Sequence, residues 1–76
     1  MKRTIPVVRP KDVIRTLKRA SFFVARTSGS HYILKHTQSP ALRVIVPYHN
    51  RDLKRRTLES IIKQAGLTNE EFLELL

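Results

Sequence analysis

Between Pro10 and Ala20 the apolar positions Val13, Ile14, Leu17 and Ala20 recur at i, i+1, i+4 and i+7, the stripe that one side of an α-helix offers to a core. Pro10 suits the first turn of such a helix, where its missing N–H is not needed. The period then changes. Phe22 to Arg26 is aromatic and β-branched, Thr27, Ser28 and Gly29 supply turn chemistry, and His31 to His36 resumes an extended run, a pattern that predicts a hairpin. After a break at Thr37 to Pro40, Leu42, Val44 and Val46 alternate with Arg43 and Ile45 in a third strand stopped by Pro47. Tyr48 to Arg56 is polar and basic and reads as a loop long enough to be functional. From Thr57 a helical stripe returns at Leu58, Ile61, Ile62 and Ala65, ended by Gly66 as a left-handed cap. Thr68 to Glu71 has capping-box spacing and opens a short last helix bearing Phe72, Leu75 and Leu76. The predicted order is α-β-β-β-α with an extra C-terminal turn of helix. It describes an α+β fold: a three-stranded antiparallel sheet with helices on one face.

Such a layer leaves the other sheet face open, and alternation assigns the residues on it. With Tyr32 and Leu34 turned toward the helices, His31, Ile33 and Lys35 face solvent. His36, five residues from His31, projects to the opposite side, and Ile45 joins Ile33 on the open face.

A chain of 76 residues is enough for one domain with a thin stability margin and no deep enclosed site. The whole chain, residues 1–76, is expected to form that single domain, with residues 1–8 extended or flexible. The absence of Cys removes disulfides, a thiolate nucleophile and Cys-based zinc sites, which fits a reduced compartment, and the expected location is the cytoplasm. The apolar stretch Ile5 to Val8 is too short for a secretory signal, and nothing approaches a membrane span.

Charge changes the picture more. All 15 Lys and Arg lie in residues 1–66 with only Asp12, Asp52 and Glu59 against them, a local balance of +12, whereas residues 67–76 hold three glutamates and no base. The tail's acids suit the start of a helix through its dipole. A net charge of +9 and a pI near 11.0 favour a nucleic-acid partner. Set on that polycation is Gly29-Ser30-His31-Tyr32. Histidine is the side chain that ordinarily moves protons near neutrality, so His31 is the candidate general acid or base. Gly29 lets a substrate approach the backbone, and the Ser30 hydroxyl is a donor for a phosphate oxygen. Lys35, two strand pitches along the same face, and Arg26, across the hairpin, are candidates to stabilise a phosphorane-like charge. Arg51, Lys54, Arg55 and Arg56, leading into the Thr57 helix, form the densest basic cluster, with Lys54 and Arg55 as candidate RNA contacts. His49 sits in the same loop as a candidate RNA contact or second proton carrier. No H-x-x-x-H-type spacing calls for a metal, and no cofactor is implied.

The stretches Lys11–Leu17, Ser28–His36, Val44–His49 and Thr57–Leu67, in this order and spacing, resemble the HicA family of toxin–antitoxin mRNA interferases, small proteins with a double-stranded-RNA-binding-domain-like fold. The resemblance covers nearly all of the chain from Val7 onward. It implies an endoribonuclease that cleaves mRNA, places the catalytic histidine on His31, and implies a HicB-type antitoxin partner; the residues permit a metal-independent cleavage, since the RNA 2′-hydroxyl supplies the nucleophile. Two positions depart from the family: Ser21 stands where a Gly is frequent, and Arg55-Arg56 where a Pro-Gly pair is frequent. Two other readings remain open, a noncatalytic RNA-binding module and a pure protein-interaction module, with Ile33 and Ile45 as contacts for the latter. Cleavage that depends on His31 separates the first reading from both.

Overall fold

The computed structural model describes residues 5–76. The first helix, α1 (Pro10–Arg19), follows the apolar stripe: Val13 and Leu17 are fully buried and Ile14 nearly so. Pro10 takes the first helical position, and the Asp12 carboxylate accepts from the Arg9 backbone N–H at 3.2 Å. Thr16 is the one buried polar side chain among the described residues, and its hydroxyl donates to the Asp12 carbonyl at 2.7 Å, so no polar atom is stranded in the core. Ala20 caps the helix rather than extending it, and Ser21 follows at φ 72°. This is the left-handed position just past the cap, where glycine is the ordinary choice. The departure from Gly noted at Ser21 is therefore a backbone matter, costing about 1–2 kcal/mol for a residue with a Cβ.

Strands β1 (Phe22–Ser28), β2 (His31–His36) and β3 (Arg43–Pro47) form an antiparallel sheet in the order β1-β2-β3. β1 runs past Arg26 because Thr27 and Ser28 pair with Tyr32 and His31 instead of turning. The turn itself is Gly29-Ser30, with positive φ, 57°, at Gly29 alone, the arrangement of a type II′ hairpin whose twist suits the paired strands. The ladder is irregular at one point. Val24 opposes Leu34 but Arg26 opposes Ile33, which leaves Ala25 as the extra residue of a β-bulge. Strict alternation from Phe22 and Val24 would turn Arg26 under the helices; the bulge moves it to the open face.

The second helix, α2 (Arg55–Gln64), starts two residues before Thr57. Arg55 and Arg56, expected in the loop, are thus its first turn, and the loop ends at Lys54. The reason is local: Lys54 at the N-cap makes no side-chain cap and the first turn holds no acid, so nothing in the polar sequence marks the boundary. The far end matches expectation. Gly66 has φ 72°, Leu67 N–H donates to the Ile62 carbonyl at 3.2 Å and Gly66 N–H to the Lys63 carbonyl at 3.0 Å, the paired bonds of a Schellman cap. In α3 (Asn69–Leu75) the capping box is present in both directions, Glu71 N–H to Thr68 Oγ1 at 3.1 Å and Thr68 N–H to Glu71 Oε1 at 2.8 Å. Arg19 Nη1 donates to the Leu75 carbonyl at 2.8 Å and ties α3 to α1.

One core fills the space between helices and sheet, built from Val13, Leu17, Leu34, Val44, Val46, Ile61 and Phe72, each exposed by 1% or less. Residues 5–9 form neither helix nor strand, yet Ile5 and Val8 are buried, and Val8 carbonyl accepts from Leu53 N–H at 2.9 Å. The rest of the expected flexible start, residues 1–4, lies outside the described residues. The architecture is the double-stranded-RNA-binding-domain-like α+β fold. Among the described residues no helix is long and apolar enough to cross a membrane.

Candidate functional site

The open sheet face consists of three cross-strand rows. Phe23, Lys35 and Arg43 form one; Arg26, Ile33 and Ile45 the next; Ser28, His31 and Pro47 the third, beside the turn. Successive rows stand about 7 Å apart, because two residues of strand span that length. The three strands contain no acidic residue, so Arg26, Lys35 and Arg43 set the sign of the face. Among the described residues none of these three takes part in an ion pair. Ala25, Arg26, Ile33, Lys35 and Arg43 line a shallow cleft. Ile33 was expected to face solvent, and it lies on this side, but it is only 6% exposed. It sits on the central strand, paired with Arg26 on one side and Ile45 on the other.

His31 begins β2 at the end of this face and is exposed. The three histidines differ in what holds them. His36 Nδ1 accepts from the Gln38 and Ser39 N–H groups, both at 3.1 Å, and its ring meets Phe22 edge-on at 5.0 Å on the helix-facing side. His49 Nδ1 accepts from Arg51 N–H at 3.1 Å. Those two imidazoles close turns as acceptors, a role that a proton on Nδ1 would end. The His31 ring has no hydrogen-bond partner among the described residues.

The turn that presents His31 is held from the third strand. Tyr48 N–H donates to the Ser30 carbonyl at 2.6 Å, and the Tyr48 ring stacks on Tyr32 with centroids 4.6 Å apart. At Gly29 an added Cβ would meet nothing within 4 Å, so the backbone there is approachable from outside. Ser30 is exposed beside it.

The structure thus brings Arg26, Gly29, Ser30, His31 and Lys35 to one face and its rim. It does not bring Lys54 and Arg55 there. Lys54 borders a second cleft, which starts at Pro47 and is lined also by His49, Arg51, Asp52 and Thr57. Arg55 Nε lies 3.4 Å from Glu59 Oε2 and lines another hollow, against Ile5 and Val7. The basic cluster that was continuous in sequence is therefore split between two sides of the α2 start. Sequence reasoning also passed over Phe23 and Arg43 as site residues. Alternation does turn Arg43 outward, opposite Val44 and Val46, but Phe23 becomes visible only once its pairing with Lys35 is known.

A family model described as HicA toxin of bacterial toxin–antitoxin matches residues 10–67. That span runs from the first residue of α1 to just past the glycine cap of α2, and includes every residue of the open face. None of the curated proteins matches the chain. Because the match takes in more than half of the chain and the whole α-β-β-β-α unit, the chain belongs to the HicA toxin family and is the toxin of a toxin–antitoxin system, a role that implies an antitoxin partner.

Proposed function

We propose that this toxin is a metal-independent endoribonuclease that cleaves mRNA with His31 as its proton carrier. The observation that supports this reading is the state of the three histidines. Two are bound to backbone N–H groups, while His31 stands unbonded on an acid-free cationic face. RNA supplies its own nucleophile. The 2′-oxygen attacks the adjacent phosphorus, the bond to the 5′-oxygen breaks, and the products end in a 2′,3′-cyclic phosphate and a 5′-hydroxyl. One proton leaves the 2′-hydroxyl and one reaches the 5′-oxygen; His31 serves one of these transfers and water the other. Arg26, one row from His31, faces the charge that builds on the phosphoryl oxygens, Lys35, one row further, holds the adjacent phosphate, and the Gly29-Ser30 turn lets the backbone come close. Lys54, with Arg55 behind it, makes phosphate contacts on the flanking RNA. A HicB-type antitoxin neutralises the toxin by covering the cationic face.

The test is incubation of wild type and His31→Ala with a long single-stranded RNA in excess EDTA, reading fragments and their end groups. Positioned acid–base groups contribute about 10²- to 10⁴-fold, so His31→Ala should slow cleavage by at least that factor. Wild-type fragments should carry cyclic or 3′-phosphate ends. Intact RNA in both lanes, shifted by binding, would replace this reading with that of a noncatalytic RNA-binding module.

A further inference from the structure

The chain has three phenylalanines. Phe22 and Phe72 are core residues, 4% and 0% exposed, whereas Phe23 shows 44% of its surface on the open face. A lone exposed apolar side chain is unremarkable; what surrounds Phe23 is not. Its cross-strand partner is Lys35, whose own partner is Arg43, and one row on lies Arg26, with no carboxylate anywhere on the sheet. His31 closes the same face about two rows away, roughly 13 Å along β2 from Lys35.

An aromatic ring amid cations on an open sheet matches the chemistry of an unpaired nucleotide: a π-face for the base and positive charge for the phosphates on either side. A double helix keeps its bases stacked inside and offers Phe23 no such face. We infer that the row Phe23–Lys35–Arg43 is a subsite for one unstacked base of single-stranded RNA, with Arg26 on the phosphate between that base and His31. The inference rests on the reading of His31 as the cleaving residue only for the direction of the strand, not for the binding itself. It makes the sheet the RNA surface of this molecule, and the substrate a strand without stable pairing.

The test measures fluorescence anisotropy with a labelled 2′-O-methyl oligonucleotide, which has no 2′-hydroxyl to attack and stays intact, both single-stranded and annealed to its complement. Stacking on one aromatic is worth about 5- to 150-fold in affinity by alanine substitution, so Phe23→Ala should weaken single-strand binding by that factor. Phe23→Trp should keep it, and Phe23→Leu, apolar but without a ring face, should behave like alanine. Thermal melts of the three variants check that the fold is intact. Equal binding by wild type and Phe23→Ala, a preference for the duplex, or rescue by leucine would each overturn the subsite. Loss of antitoxin binding with RNA affinity unchanged would overturn it too, in favour of a protein contact. Cleavage of unmodified RNA by wild type and Phe23→Ala, run in parallel, separates the two proposals: cutting and binding that both ignore Phe23 remove the subsite alone, and Phe23-dependent binding without cutting removes the ribonuclease alone.

Discussion

Two single positions stand out at the scale of the residue: Ser21, which holds a left-handed backbone, and His31, whose ring has no hydrogen-bond partner among the described residues. Ser21 holds φ 72° between α1 and β1, with its N–H on the Lys18 carbonyl and its carbonyl accepting from Thr37 N–H at 2.9 Å. Those backbone bonds survive replacement by glycine. Relief of the left-handed penalty, about 1–2 kcal/mol, outweighs the 0.4–1 kcal/mol or so that glycine adds to unfolded-chain entropy. Ser21→Gly should therefore stabilise the protein by ~0.5–1 kcal/mol and raise Tm by roughly 3–6 °C in a thermal melt; an unchanged or lower Tm would show that the serine side chain makes a compensating contact. At His31 the residue type was legible from sequence because one titratable ring stood beside a Gly-Ser turn. What sequence could not show was the commitment of the other two rings, since the bonds of His36 to Gln38 and Ser39, and of His49 to Arg51, exist only once those turns close.

Sheets expose edges, and each edge strand here carries its own protection. β1 is bent by the bulge at Ala25. On β3 the outward N–H of Ile45 donates to Gln64 Oε1 at 3.0 Å, and Gln64 is steadied in turn by donating from Nε2 to Ser60 Oγ at 3.1 Å. Gln64→Ala removes this plug at modest cost, up to about 1 kcal/mol because water replaces the bond. It should, however, increase concentration-dependent association relative to wild type, read by light scattering; identical scattering would mean the edge is guarded by something else. The strands and helices were largely legible because Val44, Val46 and the Leu58–Ile62 stripe keep their periods without interruption. Two things were not. The start of α2 at Arg55 has no side-chain cap in the sequence to announce it, and the phase of Arg26 depends on a bulge that alternation cannot contain.

At the scale of the whole molecule, charge is divided by layer. Five of the six carboxylates, all but Asp52, lie on α1, α2 and α3, while the sheet holds only positive charge. The helical layer balances most of its own charge, as Arg15 with Asp12 at 3.0 Å and Arg55 with Glu59 at 3.4 Å illustrate. Such exposed pairs add little stability. What sets the sheet apart is that its three cations share it with no carboxylate, and single-strand binding there should weaken with salt. Three phosphate contacts give a slope of about −2 in log K against log salt, each contributing about −0.7. Arg43→Gln should reduce the magnitude of that slope by roughly 0.7, whereas Lys18→Gln on α1 should leave it unchanged. Equal slopes for the two variants would mean that RNA senses only net charge.

The bulge in β1 also bears on how this chain tolerates changes in length. Losing one residue from a strand normally inverts every side chain beyond the cut. Removing Ala25 does the reverse: it restores a regular ladder and leaves Arg26, with the turn beyond it, on the sides they already occupy. First strands with and without this extra residue can thus carry the same face, and an alignment gap at this point marks no difference in what the molecule presents.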